Sequence, residues 1–171
     1  NPAYTSDFYR FFINVDGSRG TPVNMGMPIN SEKIEGSGVL SIDKTTFYFT
    51  RKSVELPTDE AIYVSKFFNN QWLQPLKLDE KVNMPGYRSC NPALSLDDSK
   101  LFFSSNRPGG YGGMDIWYCE IDEYGNLSDP VNLGPDVNTP GDEVTPFFEF
   151  FTNTLYFSSD GHPGIGGLDI F

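Results

Sequence analysis

The sequence predicts an all-β chain, a β-propeller built of four-stranded antiparallel blades, and three observations predict it. Phe, Tyr and Trp make up 15% of the 171 residues, the composition of β-strands rather than of a disordered chain. Seventeen glycines and thirteen prolines punctuate the chain at short intervals, as many short strands joined by turns require. Most decisively, the chain repeats itself about every 54 residues: Ser41 to Thr50, Ser95 to Ser105 and Glu149 to Ser159 superpose without a gap.

Two further elements keep that period. One is Ala61-Ile62-Tyr63, Asp115-Ile116-Trp117 and Asp169-Ile170-Phe171, with Asp7-Phe8-Tyr9 two periods before the middle copy. The other is Pro22-Val23-Asn24-Met25-Gly26, Pro75-Leu76-Lys77-Leu78-Asp79 and Pro130-Val131-Asn132-Leu133-Gly134. The middle copy reads strand by strand. Strand A is expected over 93–96, closed by the polar turn Asp97-Asp98-Ser99, whose carboxylates accept backbone N–H bonds. Strand B covers 100–105 and is apolar on both faces, as a strand packed on each side must be. Strand C covers 115–121, a turn at Glu123-Tyr124-Gly125-Asn126 follows, and strand D covers 127–133. Pro130 lacks a donor and so places D at the sheet edge.

The predicted units are the second half of a blade at 1–33, blades at 34–86 and 87–141, and the first half of a blade at 142–171. Three units cannot close a ring of at least about four blades. Two bare faces of roughly 400 Å² each would forgo about 10 kcal/mol apiece at ~25 cal/mol per Å². The expectation is therefore an open fragment of a larger ring, or copies that associate to complete one.

Charge and composition narrow the function. Twelve basic against 23 acidic residues give a net charge of −11 and a pI near 4.3, and the densest basic spots are pairs such as Arg51-Lys52, so no nucleic-acid partner is expected. The strongest apolar run, Phe147 to Phe151, is interrupted by Glu149 and is far too short for a membrane-spanning helix, so no direct span is expected. The residues from Asn1 lack the basic, apolar and small-residue order of a signal peptide, so any export signal is expected to have been removed or to lie upstream. Two cysteines and one histidine do not make a zinc site, and no metal or other cofactor is expected; Cys90 and Cys119 either bridge or are buried small apolar groups, the commoner state.

The run from Leu101 through Ser104-Ser105-Asn106-Arg107-Pro108-Gly109-Gly110-Tyr111-Gly112-Gly113-Met114-Asp115 to Trp117, followed by Pro130-Val131-Asn132-Leu133-Gly134, resembles the WD-repeat-like blade of the TolB-type propeller family. It is most like the propellers of outer-membrane lipoproteins that also carry an OmpA-like peptidoglycan-binding domain, including the component that anchors the type IX secretion machinery. The resemblance implies a periplasmic, outer-membrane-associated location, a longer parent chain and a non-catalytic scaffold role. Its partners would be other envelope or secretion proteins, with peptidoglycan held only through another domain. The first repeat departs from the pattern, with Asp59-Glu60-Ala61 where the others have Gly-Gly-Met/Leu-Asp.

Candidate sites follow from the loops. Asp115 and Asp169 each follow a glycine pair, Gly112-Gly113 and Gly166-Gly167, and are read as structural anchors of the B–C loop. Recurrence in successive blades argues against catalysis by either aspartate. A calcium site at Asp160 or Asp97 lacks the loop of alternating oxygen ligands. His162 is the single histidine and matches Pro108, a variable loop tip, and no GxSxG elbow supplies a nucleophile. Alternating strands bring the B–C loops and D–A connections to one end. There Tyr87, Arg88, Asn106, Arg107, Tyr111, Asp142, Glu143, Asp160, His162 and Ile165 form the expected partner-binding rim. Two competing readings are a hydrolase propeller, peptidase or glycosidase, and a sugar-binding propeller stacking on Trp72, Trp117 or Tyr111. Trp117 aligns with Tyr63 and Phe171, which favours a core role for it.

Overall fold

The structure, a computed structural model, describes residues 6–54, 56, 58–149 and 151–171. The first five residues of the 1–33 unit, and Phe150 of the repeat from Glu149 to Ser159, lie outside the described residues. Fourteen strands and no helix are formed among the described residues. Among the described residues no helix is long and apolar enough to cross a membrane.

The strands assemble into successive antiparallel sheets. β1 (Tyr9–Arg10) pairs with β2 (Val23–Asn24). β3 (Ile34–Leu40), β4 (Thr46–Lys52), β5 (Glu60–Phe68) and β7 (Leu76–Lys77) form the next sheet, and β6 (Gln71–Trp72) folds back on the far end of β5. β8 (Ser89–Leu94), β9 (Lys100–Ser105), β10 (Asp115–Glu120) and β11 (Val131–Asn132) form a four-stranded sheet. β12 (Glu143–Glu149), β13 (Thr154–Ser159) and β14 (Asp169–Ile170) form a three-stranded one.

The first strands of the sheets lie side by side, β3 against β8 and β8 against β12, which sets the sheets radially about a common axis. Asn91 ties two of them: its N–H donates to Thr50 Oγ1 and its Nδ2 to Ser37 Oγ, each at 2.9 Å, and Ser37 stands one period before it.

Alternation along each strand supplies a core on both faces. From β4, Phe47 and Phe49 turn toward the β1–β2 unit and pack with Phe8, Met25 and Ile29, while Tyr48 turns the other way. Tyr48, Ile62 and Val64 meet Leu94, Leu101, Phe103, Trp117 and Cys119 of the following blade. On the far face of that blade Phe102 stacks on Phe148 at 5.8 Å. Removing Phe49 or Phe103, each with no exposed surface, would expose core worth roughly 3–5 kcal/mol.

Strand boundaries differ from the sequence reading most at strands A and D, while strand A also ends at Leu94 and strand C at Glu120. Strand A of the middle blade begins at Ser89 rather than Ala93, because a β-bulge between Cys90 and Ala93, with Asn91 at φ 53°, carries the chain past Pro92 without a ladder bond from proline. Strand D shrinks to Val131–Asn132, preceded by the isolated bridge Ile121–Leu127, and Pro130 stands just before it.

Candidate functional site

The B–C loop of the β8–β11 blade is pinned by carboxylates that accept backbone N–H groups. Asp115, 1% exposed at the head of β10, accepts from Tyr111 N at 2.6 Å, Gly112 N at 3.2 Å and Asn132 Nδ2 at 3.1 Å. The loop is then tied to the next D–A connection: Gly113 N donates to Gly141 O, Met114 N to Asp142 Oδ1 at 2.7 Å and Asp142 N to Asp160 Oδ1 at 2.7 Å. Such close packing needs glycine, since a Cβ on Gly112 would lie 2.3 Å from Thr139 O and one on Gly113 2.1 Å from Asp142 Oδ1. Asp169 repeats the lock on Ile165 N and Gly166 N, but Gly166 and Gly167 have open space around them and carry no steric demand.

A second recurring device lies beneath this rim. In each blade a nitrogen-bearing side chain rests against the aromatic rings of strands B and C and donates to a carbonyl of the preceding D–A connection. Arg51 sits 5.2 Å from Phe49 and 4.9 Å from Tyr63, and donates to Ile29 O at 2.8 Å. Arg107 sits 4.8 Å from Phe103 and 5.4 Å from Trp117, and donates to Lys81 O and Val82 O. His162 lies 5.7 Å from Phe157 and 5.0 Å from Phe171, and its Nε2–H donates to Val137 O at 2.8 Å. The three come from different positions in the repeat yet reach equivalent carbonyls, those of the residues just before Asn30, Asn83 and Asn138.

That clasp corrects the expected rim. Arg107 is buried: stacking on two rings and donating to carbonyls satisfies a guanidinium more fully than a loop tip would, and burial pushes it down to about 10. His162 is not a free loop tip but is held between rings. Glu143 is wholly buried, accepting from Thr139 N, Thr139 Oγ1 and Ser159 Oγ. Its counterpart two periods earlier, Glu35, accepts from Ser31 Oγ and from Arg51 Nε at 2.9 Å. Arg88 pairs with Glu60 at 2.6 Å, and its N–H donates to Asn106 Oδ1. Of the apolar and aromatic rim residues, Tyr87, Tyr111 and Ile165 project, at 39%, 49% and full exposure, and Asn106 and Asp160 are exposed beside them.

Sequence reasoning missed the buried asparagines. Asn30, Asn83 and Asn138 each accept the N–H and donate to the C=O of one strand-C residue, Phe8, Ile62 and Ile116, at 2.8–3.0 Å, completing the sheet where strand D stops. The signal was the six-residue spacing Asn24/Asn30 and Asn132/Asn138, in which the first amide oxygen takes the second's Nδ2 at 2.7 and 2.9 Å.

Chemically, the described aspartates and glutamates with shifted titration lie in turns or, for Glu149, at the strand end that leads into one, and no group of three or more His, Cys, Asp or Glu able to hold a metal occurs among the described residues. Cys90 and Cys119 are free and buried, with burial pushing their thiols up to about 12 and about 11, which leaves them protonated and unreactive at neutral pH. Trp117 is buried and offers no stacking face, whereas Trp72 lines a cleft.

No family model matches the chain, and no curated protein matches it. Solved structures do. One, the crystal structure of an alpha-L-arabinofuranosidase from Lactobacillus brevis, aligns over 86% of this chain at 11% identity with a TM-score of 0.49. The chain spans about half of that protein, 52% of its length. That neighbour is an enzyme. The expectation of a non-catalytic chain is corrected: recurring blades are no ground for excluding catalysis, because the fold does not decide activity.

Proposed function

We propose that these blades belong to a periplasmic, outer-membrane-associated propeller that holds another envelope or secretion protein against the end where the B–C loops and D–A connections meet. One observation supports this reading most: Tyr111, with Ile165 one period on, projects from a loop whose backbone is tied down by Asp115, Asp142 and Asp160. A pre-ordered loop presenting aromatic and aliphatic side chains loses little conformational freedom on binding a protein surface. The envelope setting rests on the blade's resemblance to TolB-type propellers.

Photo-crosslinking tests the reading. A crosslinkable residue in place of Tyr111 or Ile165 is expected to capture one discrete envelope protein, while the same residue at Tyr124, 82% exposed on the turn at the opposite end, captures none. Identical products from both ends, or undiminished partner recovery by the Tyr111→Ala protein, overturns the assignment.

A further inference from the structure

Where β5 of the second blade outruns its counterpart, it builds a cleft that the neighbouring blade lacks. β5 runs nine residues against six in β10, and a two-residue turn of Asn69 and Asn70, at φ 49° and 62°, returns the chain as β6. Trp72 on β6 is clamped by Phe67 at 5.1 Å and Phe47 at 5.8 Å, so its indole is fixed. Between this hairpin and the β1–β2 unit lies a cleft of about 270 Å³, lined by Trp72, Phe67, Met25, Arg10, Asn70 and Gln71 among others.

Its electrostatics run against the rest of the chain. With a net charge of −11, four other clefts each present at least one carboxylate, whereas this one presents none and has Arg10 as its single charge. Among the described residues the side chains of Arg10, Asn70 and Gln71 make no hydrogen bond or ion pair. Three uncommitted polar side chains and a fixed aromatic ring therefore line one small concavity, a few polar groups beside a ring that can orient a small ligand.

We propose that this cleft binds a uronic acid unit of an acidic polysaccharide. The Arg10 guanidinium matches a single carboxylate in a paired, charge-assisted geometry. The side-chain amides of Asn70 and Gln71 can both donate to and accept from ring hydroxyls, and the indole covers the apolar C–H face of a pyranose. A phosphate monoester, with close to two negative charges, would be undercompensated by one arginine. The site lies apart from the partner rim and stands or falls independently of it.

Titration calorimetry on the whole chain with glucuronate and galacturonate, their neutral counterparts glucose and galactose, and acetate tests the assignment. The uronates are expected to bind at least about tenfold tighter than the matching neutral sugars and than acetate. Arg10→Ala, at an exposed position, should remove that preference while leaving the circular dichroism spectrum unchanged, and Gln71→Ala should weaken both sugar classes a few-fold. Absence of uronate binding, equal binding of acid and neutral sugars, equal binding of acetate, or uronate binding that survives Arg10→Ala overturns the proposal.

Discussion

The two complete blades, β3–β7 and β8–β11, share a frame and differ at its ends. Both bury a phenylalanine and an aromatic partner on strands B and C, both carry a bulge in strand A, and both close strand C with a bidentate asparagine. The β8–β11 blade has a glycine loop locked by Asp115; in the β3–β7 blade Ala61 stands there, and no such lock occurs among the described residues. The clasps differ too: Arg51 has a buried carboxylate partner in Glu35, whereas the equivalent of Glu35 beside Arg107 is Ser89. A face pressed against a neighbouring blade tolerates only one solution, while a rim facing water tolerates several, and blade-specific chemistry collects where the constraint ends.

The sharpest test of that contrast compares the clasps. Arg51→Met should cost about 3–5 kcal/mol, because it strands the Glu35 side chain, which is fully buried, without its cation. Arg107→Met should cost less, about 2–3 kcal/mol, since only neutral groups, two carbonyls, the Ser105 and Ser89 hydroxyls and two rings, lose their partner. Adding Glu35→Gln to Arg51→Met should recover at least about 1 kcal/mol. Urea midpoints of the purified variants decide it, and equal losses at the two arginines would mean that the carboxylate makes no difference.

The loop lock is next in size. Asp115→Ala leaves the Tyr111 and Gly112 N–H groups without an acceptor and should cost about 2 kcal/mol, with faster amide exchange confined to the loop around 109–114. Gly112→Ala drives a methyl onto the Thr139 carbonyl and should cost about 1–3 kcal/mol, whereas Gly166→Ala, one period later in open space, should stay within about 0.5 kcal/mol of the parent. Matching effects at the two glycines would show that the loop relaxes freely around added bulk.

Residue patterns carried the sheets further than they carried the rim. Strand B of the middle blade, Lys100–Ser105, was legible to the residue, since alternate apolar side chains must meet two neighbours and the turn Asp97-Asp98-Ser99 closes it. The start of strand A was not, because bulges are set by inter-blade contacts such as Asn91 to Ser37 rather than by local pattern. Arg107 misled for a related reason: two residues past a strand end it reads as exposed, and only the rings of Phe103 and Trp117 with the Val82 carbonyl, brought in from elsewhere in the chain, make a buried site for it. His162 and Arg51 reach the same environment from other positions of the repeat, so no alignment of the blades could reveal the clasp.

The smallest expected effect concerns a feature the two blades share. Asp43 and Asp97 stand one period apart in the A–B turns. Asp43 is held down to about 2 by the Ser41 hydroxyl and by Thr45, and Asp97 likewise by the Ser99 and Ser95 hydroxyls. A carboxyl lowered on folding binds fewer protons in the native state, so its contribution is present above the unfolded value near 4 and is lost as pH falls toward 2. Asp98 works in the opposite sense: burial, ahead of the neighbouring Asp43 and Asp97 charges, raises it, although it accepts the Ile42 N–H across the blade boundary at 2.7 Å. Its contribution therefore declines as pH rises through its own titration. The Asp43→Asn/Asp97→Asn protein should show a shallower fall in urea midpoint between pH 4 and pH 2 than the parent, and Asp98→Asn a steeper one, because it removes the residue that offsets the other two. Carboxyl chemical shifts followed over the same range check the assignment residue by residue, and an Asp43 or Asp97 that titrates near 4 would show that the turn hydroxyls do not hold the charge.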